Sequence, residues 1–242
     1  MRRYRSVLVT GASRGLGAAL ARELAAREYH VLLAARSAAD LHAVAQPLVQ
    51  QFGERIHCLE LDLADSTGLG SGFASFSSAV EDRVGPLDVL INNAGIGAYK
   101  PFLEWSVEEI TQCLQVNLLA PALLARAFLP GMVARKRGMI VNVASDIARR
   151  HIANMAPYVA SKAGVLGLSG SLLREVKSHG IKVTTILPGI IDTAFNGARE
   201  GEKEETWALR PSVLAARIVD ALELPEHVVM DEMTIHPMQQ DF

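Results

Sequence analysis

The chain has 242 residues, half of them hydrophobic and 21% charged, with a formal net charge of −2. A disordered chain would carry fewer apolar residues and a larger net charge, and 19 Gly with 10 Pro is too ordinary for a collagen-like or low-complexity chain. Two cysteines cannot build a disulfide framework, and the near-neutral balance leaves no electrostatic footprint for nucleic acid.

In chain order, the start is basic, with Arg2, Arg3 and Arg5. The apolar run Val7-Leu8-Val9 is too short for a signal peptide's h-region, and it leads straight into a glycine motif. Short β-branched-rich runs near 6–10, 30–35, 57–61, 88–92, 139–144, 182–187 and 231–236 read as strands. They are almost continuously apolar, as strands of a parallel sheet are when both faces are covered. Helical patterns lie between them. Residues 15–28 place Leu16, Leu20 and Leu24 at spacing four, one face of a helix. The stretch 66–83 is rich in Gly and Ser and has the weakest helical pattern. Residues 106–135 predict two helices broken near Pro121. Residues 155–178 put Leu166, Ser169, Leu173 and Val176 on one stripe. Residues 194–210 are polar, charged and aperiodic, which predicts a mobile loop. Strands alternating with helices predict one doubly wound α/β sheet with helices on both faces, in a single domain spanning 1–242.

No stretch approaches the roughly 18 apolar residues of a membrane span. Cys58 lies in a strand-like run and Cys113 in a helical one, which predicts reduced core thiols. The expectation is a soluble cytoplasmic protein with neither a nucleic-acid nor a membrane partner.

The first strand runs into Thr10-Gly11-Ala12-Ser13-Arg14-Gly15-Leu16-Gly17, and a helix follows at once. Glycines there permit a tight turn and close approach of backbone to a pyrophosphate, and the helix N-terminus offers free N–H groups to it. The second strand sharpens the cofactor. Folds that bind NAD place an acid near its end for the ribose 2′-hydroxyl. Here Ala34 and Ala35 stand there, followed by Arg36. A missing acid and a cation suit a 2′-phosphate, with Arg14 able to reach it, so NADP is expected over NAD.

Tyr158 and Lys162 stand four apart at the start of a predicted helix, on one face. A tyrosine has a pKa near 10 and is a poorly matched acid or base at neutral pH. A nearby ammonium lowers that value and tunes the phenol as a proton carrier. Ser145 follows a strand, at the sheet end where ligands bind. Asn92-Asn93-Ala94-Gly95 follows another. Asn117 lies in an apolar helical stretch, and a buried amide needs partners. Pro188-Gly189 ends the next strand, with Thr193 just beyond.

With these motifs in this order, the chain resembles the short-chain dehydrogenase/reductase family over nearly its whole length. The residues that carry the resemblance are the glycine loop at 10–17, Asp62, the NNAG turn at 92–95, Asn117, Ser145, the YVASK segment at 158–162 and Pro188-Gly189. The resemblance implies a Rossmann-type sheet of about seven strands and an NAD(P)-dependent oxidoreductase acting on a small or medium carbonyl/alcohol pair. It assigns proton exchange to Tyr158, tuning of that tyrosine to Lys162, polarisation of the carbonyl to Ser145, and a proton-relay water to Asn117. It assigns the cofactor to Gly11, Ser13, Arg14, Gly15, Leu16 and Gly17, to Arg36, to Asp62 and Leu63, and to Asn93, Ala94 and Gly95. Pro188, Gly189, Ile191 and Thr193 complete that set, with Tyr158 and Lys162 holding the nicotinamide ribose. No metal ligands are implied.

The chain departs from the family pattern at Asp146 and Ala148, after the serine. Its C-terminal segment looks more like the carbonyl-reductase and hydroxy-acid-dehydrogenase members than the ketoacyl-carrier reductases. A hydroxy-acid or ketoacyl reductase using NAD is the alternative reading, and a non-catalytic dinucleotide-binding or assembly protein is one of a different class. Arg149-Arg150-His151, if facing the cleft, would favour an anionic substrate. Phe195 and Trp207, in a substrate loop over 194–210, are candidate lid residues. The apolar stretch 114–129 exceeds what one core stripe needs, and since such helices form subunit contacts in that family, the resemblance implies a homodimer or homotetramer.

Overall fold

The protein is described by a computed structural model covering residues 4–65 and 71–240. Arg2, Arg3 and the first residues of the Gly/Ser-rich stretch lie outside the described residues. Seven strands form one sheet: β1 (Ser6–Thr10), β2 (His30–Ala35), β3 (Ile56–Glu60), β4 (Val89–Asn92), β5 (Gly138–Val143), β6 (Ile181–Pro188) and β7 (Glu232–Ile235). Each matches a predicted run to within a residue or two. Every pairing is parallel, in the order β3-β2-β1-β4-β5-β6-β7. Val7 faces Val31 on one side and Val89 on the other. The chain reverses direction across the sheet between β1 and β4, which opens a crevice at their carboxyl ends.

Helices cover both faces because parallel strands need crossovers. On one side α1 (Gly15–Ala26), α2 (Ala38–Phe52) and α7 (Pro211–Leu222) bury Leu20, Leu24, Leu41 and Leu214 against β1 and β2. On the other, α3 (Ser71–Val84), α5 (Ala120–Arg135) and α6 (Ala156–Val176) bury Phe76, Leu124, Phe128 and Leu173. The predicted stripes are therefore core faces. A fully buried leucine contributes about 1.5–3 kcal/mol, so this burial is a large part of what holds the two layers on the sheet.

The stretch 106–135 corrects its prediction. Helix α4 (Val107–Leu114) opens with a capping box, in which the Ser106 hydroxyl accepts from the Glu109 N–H and the Glu109 carboxylate accepts from the Ser106 N–H. It does not break at Pro121. A single wide π-helical turn, Gln115–Leu119, joins it to α5. Proline lacks an N–H and its ring crowds the carbonyl four residues back, here that of Asn117. The wide turn makes room for the ring without ending the helix. The joined helix, Val107–Arg135, is long and apolar enough to cross a membrane by length and composition. Counting uninterrupted apolar residues missed this. Its Leu124, Phe128 and Met132 are buried in the protein's own core.

Candidate active site

The crevice between β1 and β4 is a cleft of about 480 Å3. Its wall includes Gly11, Ser13, Arg14, Gly15, Leu16, Gly17, Arg36, Asp62, Leu63, Asn93, Ala94, Gly95 and Thr193, each predicted from sequence. The glycine loop turns through left-handed backbone at Gly11 (φ 65) and Gly15 (φ 52). A Cβ on Gly17 would lie 2.2 Å from the Gly11 carbonyl oxygen, so α1 packs on the loop only with glycine there. The N-cap of α1, Arg14, makes no side-chain cap bond. The N–H groups of the first helical turn therefore lack a side-chain acceptor and open on the cleft. That is a site for a phosphate.

The cleft also carries the cofactor-selecting set. Ala34 and Ala35 stand at the end of β2 and line the wall with Arg36. Among the described residues, neither Arg14 nor Arg36 has an ion-pair partner, and both are exposed. Asp62 forms a local turn, its Oδ1 accepting from the Ala64 N–H at 2.9 Å. An uncapped helix N-terminus, two unpaired arginines and an apolar slot between Asp62 and Ala94 fit a phosphorylated dinucleotide.

A polar scaffold that sequence reasoning largely missed fixes this wall. The Thr10 hydroxyl accepts from the N–H groups of Asn93 and Ala94, both at 3.1 Å. The Asn93 amide donates to the Thr10 carbonyl at 2.9 Å. The glycine loop and the NNAG turn are thus tied together. Behind them, Asn92 donates to Asn142 and Asn142 to Ser169, each at 2.8 Å. This chain joins β4, β5 and α6. A sequence signal existed in polar side chains interrupting apolar strands.

Asn117 sits in the wide turn and acts as a brace. Its Oδ1 accepts from the Ile96 N–H at 2.9 Å, and its Nδ2 donates to the Ile96 carbonyl at 2.8 Å and to the Ser161 hydroxyl at 2.9 Å. Both amide hydrogens are used, so none is left for a water. Its backbone carbonyl, four residues before Pro121, lacks the usual helical donor.

Ser145, Tyr158 and Lys162 come together behind Gly95 and Gly97, from β5's end and the start of α6. Lys162 is 3% exposed and donates from Nζ to the Val143 carbonyl at 2.8 Å. It lies 5.7 Å from the centre of the Tyr158 ring. A Cβ on Gly95 would stand 3.4 Å from that Nζ. The Ser145 hydroxyl adjoins the Tyr158 phenol and favours its ionised form.

The charges correct the expected tuning. Burial pushes the Tyr158 phenol well above its ordinary value, and the Ser145 hydroxyl opposes this only in part. Burial also pulls the Lys162 ammonium down to about 8. Desolvation is the largest cause of both shifts. Burial raises both cysteine thiols, which agrees with inert core thiols.

Several predicted residues are not on the open wall. Tyr158 is 9% exposed and is covered by Phe195, ring centres 5.5 Å apart. Pro188 and Gly189 end β6, where Gln240 covers Gly189, and Ile191 packs in the core. Arg149 turns away to pair with Glu232, and none of Arg149, Arg150 and His151 lines the cleft. Of the two lid candidates, Phe195 lines the wall and Trp207 does not. The loop over 194–210 is irregular, as expected, but it is organised by a residue the sequence reading overlooked. Asp192, 1% exposed, accepts from the Gly201 N–H at 3.1 Å and pairs with Arg210. Among the described residues, no group of three His, Cys, Asp or Glu side chains could hold a metal.

A nucleotide cleft at the switch point of a parallel sheet, with a half-buried serine and a buried tyrosine and lysine behind it, defines an NAD(P)-dependent oxidoreductase. The sequence profile described as short chain dehydrogenase matches residues 5–204, and the chain belongs to that family. It is 34% identical to a 3-oxoacyl-acyl-carrier-protein reductase of Vibrio cholerae, over 91% of this chain and 86% of that protein. It is 33% identical to an NADPH-dependent pterin aldehyde reductase of Arabidopsis thaliana, over 87% of each. An alcohol dehydrogenase from the archaeon Thermococcus sibiricus, complexed with 5-hydroxy-NADP, superposes with a TM-score of 0.90. It is 31% identical, and 98% of each chain is covered.

Proposed function

We propose that this protein is an NADP-preferring reductase or dehydrogenase of a small or medium carbonyl/alcohol pair, with Tyr158 as the proton carrier. The observation that carries the reading is the Ser145–Tyr158–Lys162 cluster, its tyrosine and lysine buried, directly behind the nucleotide cleft. The 2′-phosphate reading rests on Arg14 and Arg36 beside Ala34 and Ala35, and the NADP-bound relative supports it. Gly11 to Gly17 and the N-terminus of α1 hold the pyrophosphate, Asp62 and Leu63 border the adenine end, and Asn93 to Gly95 and Thr193 border the nicotinamide end. When bound, the cofactor supplies or accepts the hydride.

The chain's own residues handle the proton. With its pKa raised by burial, Tyr158 is neutral at physiological pH and so carries the proton that carbonyl reduction consumes. It therefore gives a proton to the oxygen of a reduced carbonyl, which Ser145 holds by a hydrogen bond. Alcohol oxidation needs the phenolate and is favoured by raising the pH. Lys162, anchored on the Val143 carbonyl, borders Gly95 and orders the ribose end. Phe195 must move off Tyr158 for a substrate to reach it. It then excludes water from the reacting atoms.

Tyr158→Phe is expected to abolish turnover while NADPH affinity, read by fluorescence, stays within about twofold. Loss of a positioned proton carrier costs about 100-fold or more. A fully active Tyr158→Phe enzyme would overturn the assignment.

A further inference from the structure

The cleft does not stop at the nicotinamide end. Past Gly95 its wall continues through Gly97, Ala98, Trp105 and Phe195. There it meets a separate apolar cluster. Trp105, Met155 and Tyr158 are buried in it, and Ala98, Ile147 and Phe195 pack against them. A Cβ on Gly97 would stand 2.8 Å from Tyr158 Cδ2 and 3.2 Å from Phe195 Cζ. The backbone at Gly97 thus runs close against both rings, and only glycine leaves room for it. The Phe195 ring lies tilted at 48° to the Tyr158 ring, an arrangement that aromatic pairs favour. In the closed cleft a flat apolar ring therefore occupies the place beside the reacting phenol.

The fixed parts of this pocket are pinned to each other. The Lys100 N–H donates to the Asn154 carbonyl at 2.8 Å, which ties the turn after β4 to the turn before α6. The Trp105 indole N–H donates to the Lys100 carbonyl at 3.3 Å, so its ring is left to apolar contact. The basic side chains nearby are committed. Lys100 bonds Glu109, Arg149 pairs with Glu232, and Lys162 is held on the Val143 carbonyl. At the reacting end stands a carboxyl group instead. Asp146 is 6% exposed, with its Oδ1 3.2 Å from the Ser145 oxygen. Its Oδ2 accepts from the side-chain N–H of Gln240, in the tail after β7, at 2.8 Å, and His236 Nε2 lies 3.4 Å from the same oxygen. A substrate carboxylate here would meet no uncommitted cation among the described residues that line the cleft beyond Gly95. An unpaired buried charge is costly.

We propose that the pocket selects an uncharged carbonyl compound bearing a flat apolar ring, such as an aryl ketone or an aryl 2-oxo ester, and rejects the corresponding oxo acids. The inference rests on the reading of Tyr158 as proton carrier and names the substrate class of that site. Phe195 moves out with its loop as the substrate enters. The substrate's ring takes its place against Tyr158 and Gly97, and Phe195 closes over it. A small alkyl ketone restores none of these ring contacts.

Four 2-oxo compounds separate ring from charge: methyl benzoylformate, benzoylformate, methyl pyruvate and pyruvate. kcat/KM is read for each with NADPH, in wild type, Phe195→Ala and Phe195→Leu, with Tm and NADPH Kd alongside. The phenyl ester is expected to exceed the methyl-ketone ester by about tenfold or more, and its own acid by about 100-fold. Phe195→Ala should cut the preference for phenyl over methyl by about tenfold with NADPH Kd held, and Phe195→Leu by less. Equal kcat/KM for the two esters would overturn the proposal. So would an acid reduced as fast as its ester, or a ring preference that Phe195→Ala fails to lower. Calorimetry on the preformed NADP+ complex, which has no hydride to give, reads binding alone. If none of the four compounds is reduced by the wild type, the assigned reaction falls and the pocket is still judged. Tighter binding of the phenyl ester than of the methyl-ketone ester, by about tenfold, then supports it, and no difference overturns it.

Discussion

At the end of β2 a methyl group stands where an acid would have to be, and the proposed preference for NADP turns on this position and on Arg36. Ala35 cannot accept from a ribose hydroxyl, while the exposed guanidinium of Arg36 can donate to a phosphate. A hydrogen bond to a charged group contributes about 1.5–3 kcal/mol. Arg36→Asp should therefore raise the KM for NADPH by about tenfold or more and leave the KM for NADH nearly unchanged. Equal effects on the two would refute the 2′-phosphate reading. Gly17 is constrained differently. A Cβ there meets the Gly11 carbonyl at 2.2 Å and the Asn93 amide at 2.7 Å. Neither is the free end of a flexible side chain, because Asn93 is bonded to Thr10. Gly17→Ala should lower Tm by several degrees and weaken NADPH binding at least tenfold, with calorimetry and titration as the measurements. These residues were legible in the sequence, since the loop's spacing and the missing acid are local. The roles of Thr10 and Asn142 were not, because each acts on a strand distant in the chain.

Among the elements, the long helix and the loop after β6 show how local pattern and packing divide the work. The seven strands and the core stripes of α1 and α6 followed from apolar runs and spacing. The wide turn at Gln115–Leu119 did not, because Pro121 alone is compatible with a break or with a bulge. Packing chose the bulge: it keeps α5 on the sheet and puts Asn117 against Ile96 and Ser161. The 194–210 loop was legible only as irregular chain. Its order comes from Asp192, buried among the Gly201 and Lys203 N–H groups and Arg210. Removing the carboxylate orphans these donors. Unsatisfied donors cost about 1–3 kcal/mol. Asp192→Ala should accordingly lower Tm, speed amide exchange at Gly201, and raise the KM for the carbonyl substrate more than the Kd for NADPH. An unchanged exchange rate at Gly201 would show that Asp192 does not hold the loop.

For the whole molecule, burying Lys162 sets a stability cost that depends on pH. The Lys162 ammonium is pulled down to about 8 from 10.5 by burial. The unfolded chain keeps its proton up to the ordinary value. Between about pH 8 and 10.5 the unfolded state therefore binds more protons, and the lysine's contribution to stability rises with pH through that window. Below it the burial cost is complete. Measured against Lys162→Met, the wild type should gain on the order of 3 kcal/mol across that range. A flat difference in denaturant unfolding would contradict the buried, desolvated lysine. The sequence alone determined the order of strands and helices, the phosphate-binding end of the sheet and the residue types that meet there, because periodicity and turn chemistry act over a few neighbouring residues. Only the tertiary structure decided that burial raises the Tyr158 phenol, that Phe195 covers it, and that the tail reaches Ser145 through Asp146. Desolvation and contacts across 90 or more residues depend on which elements come to lie together, and no local spacing records that.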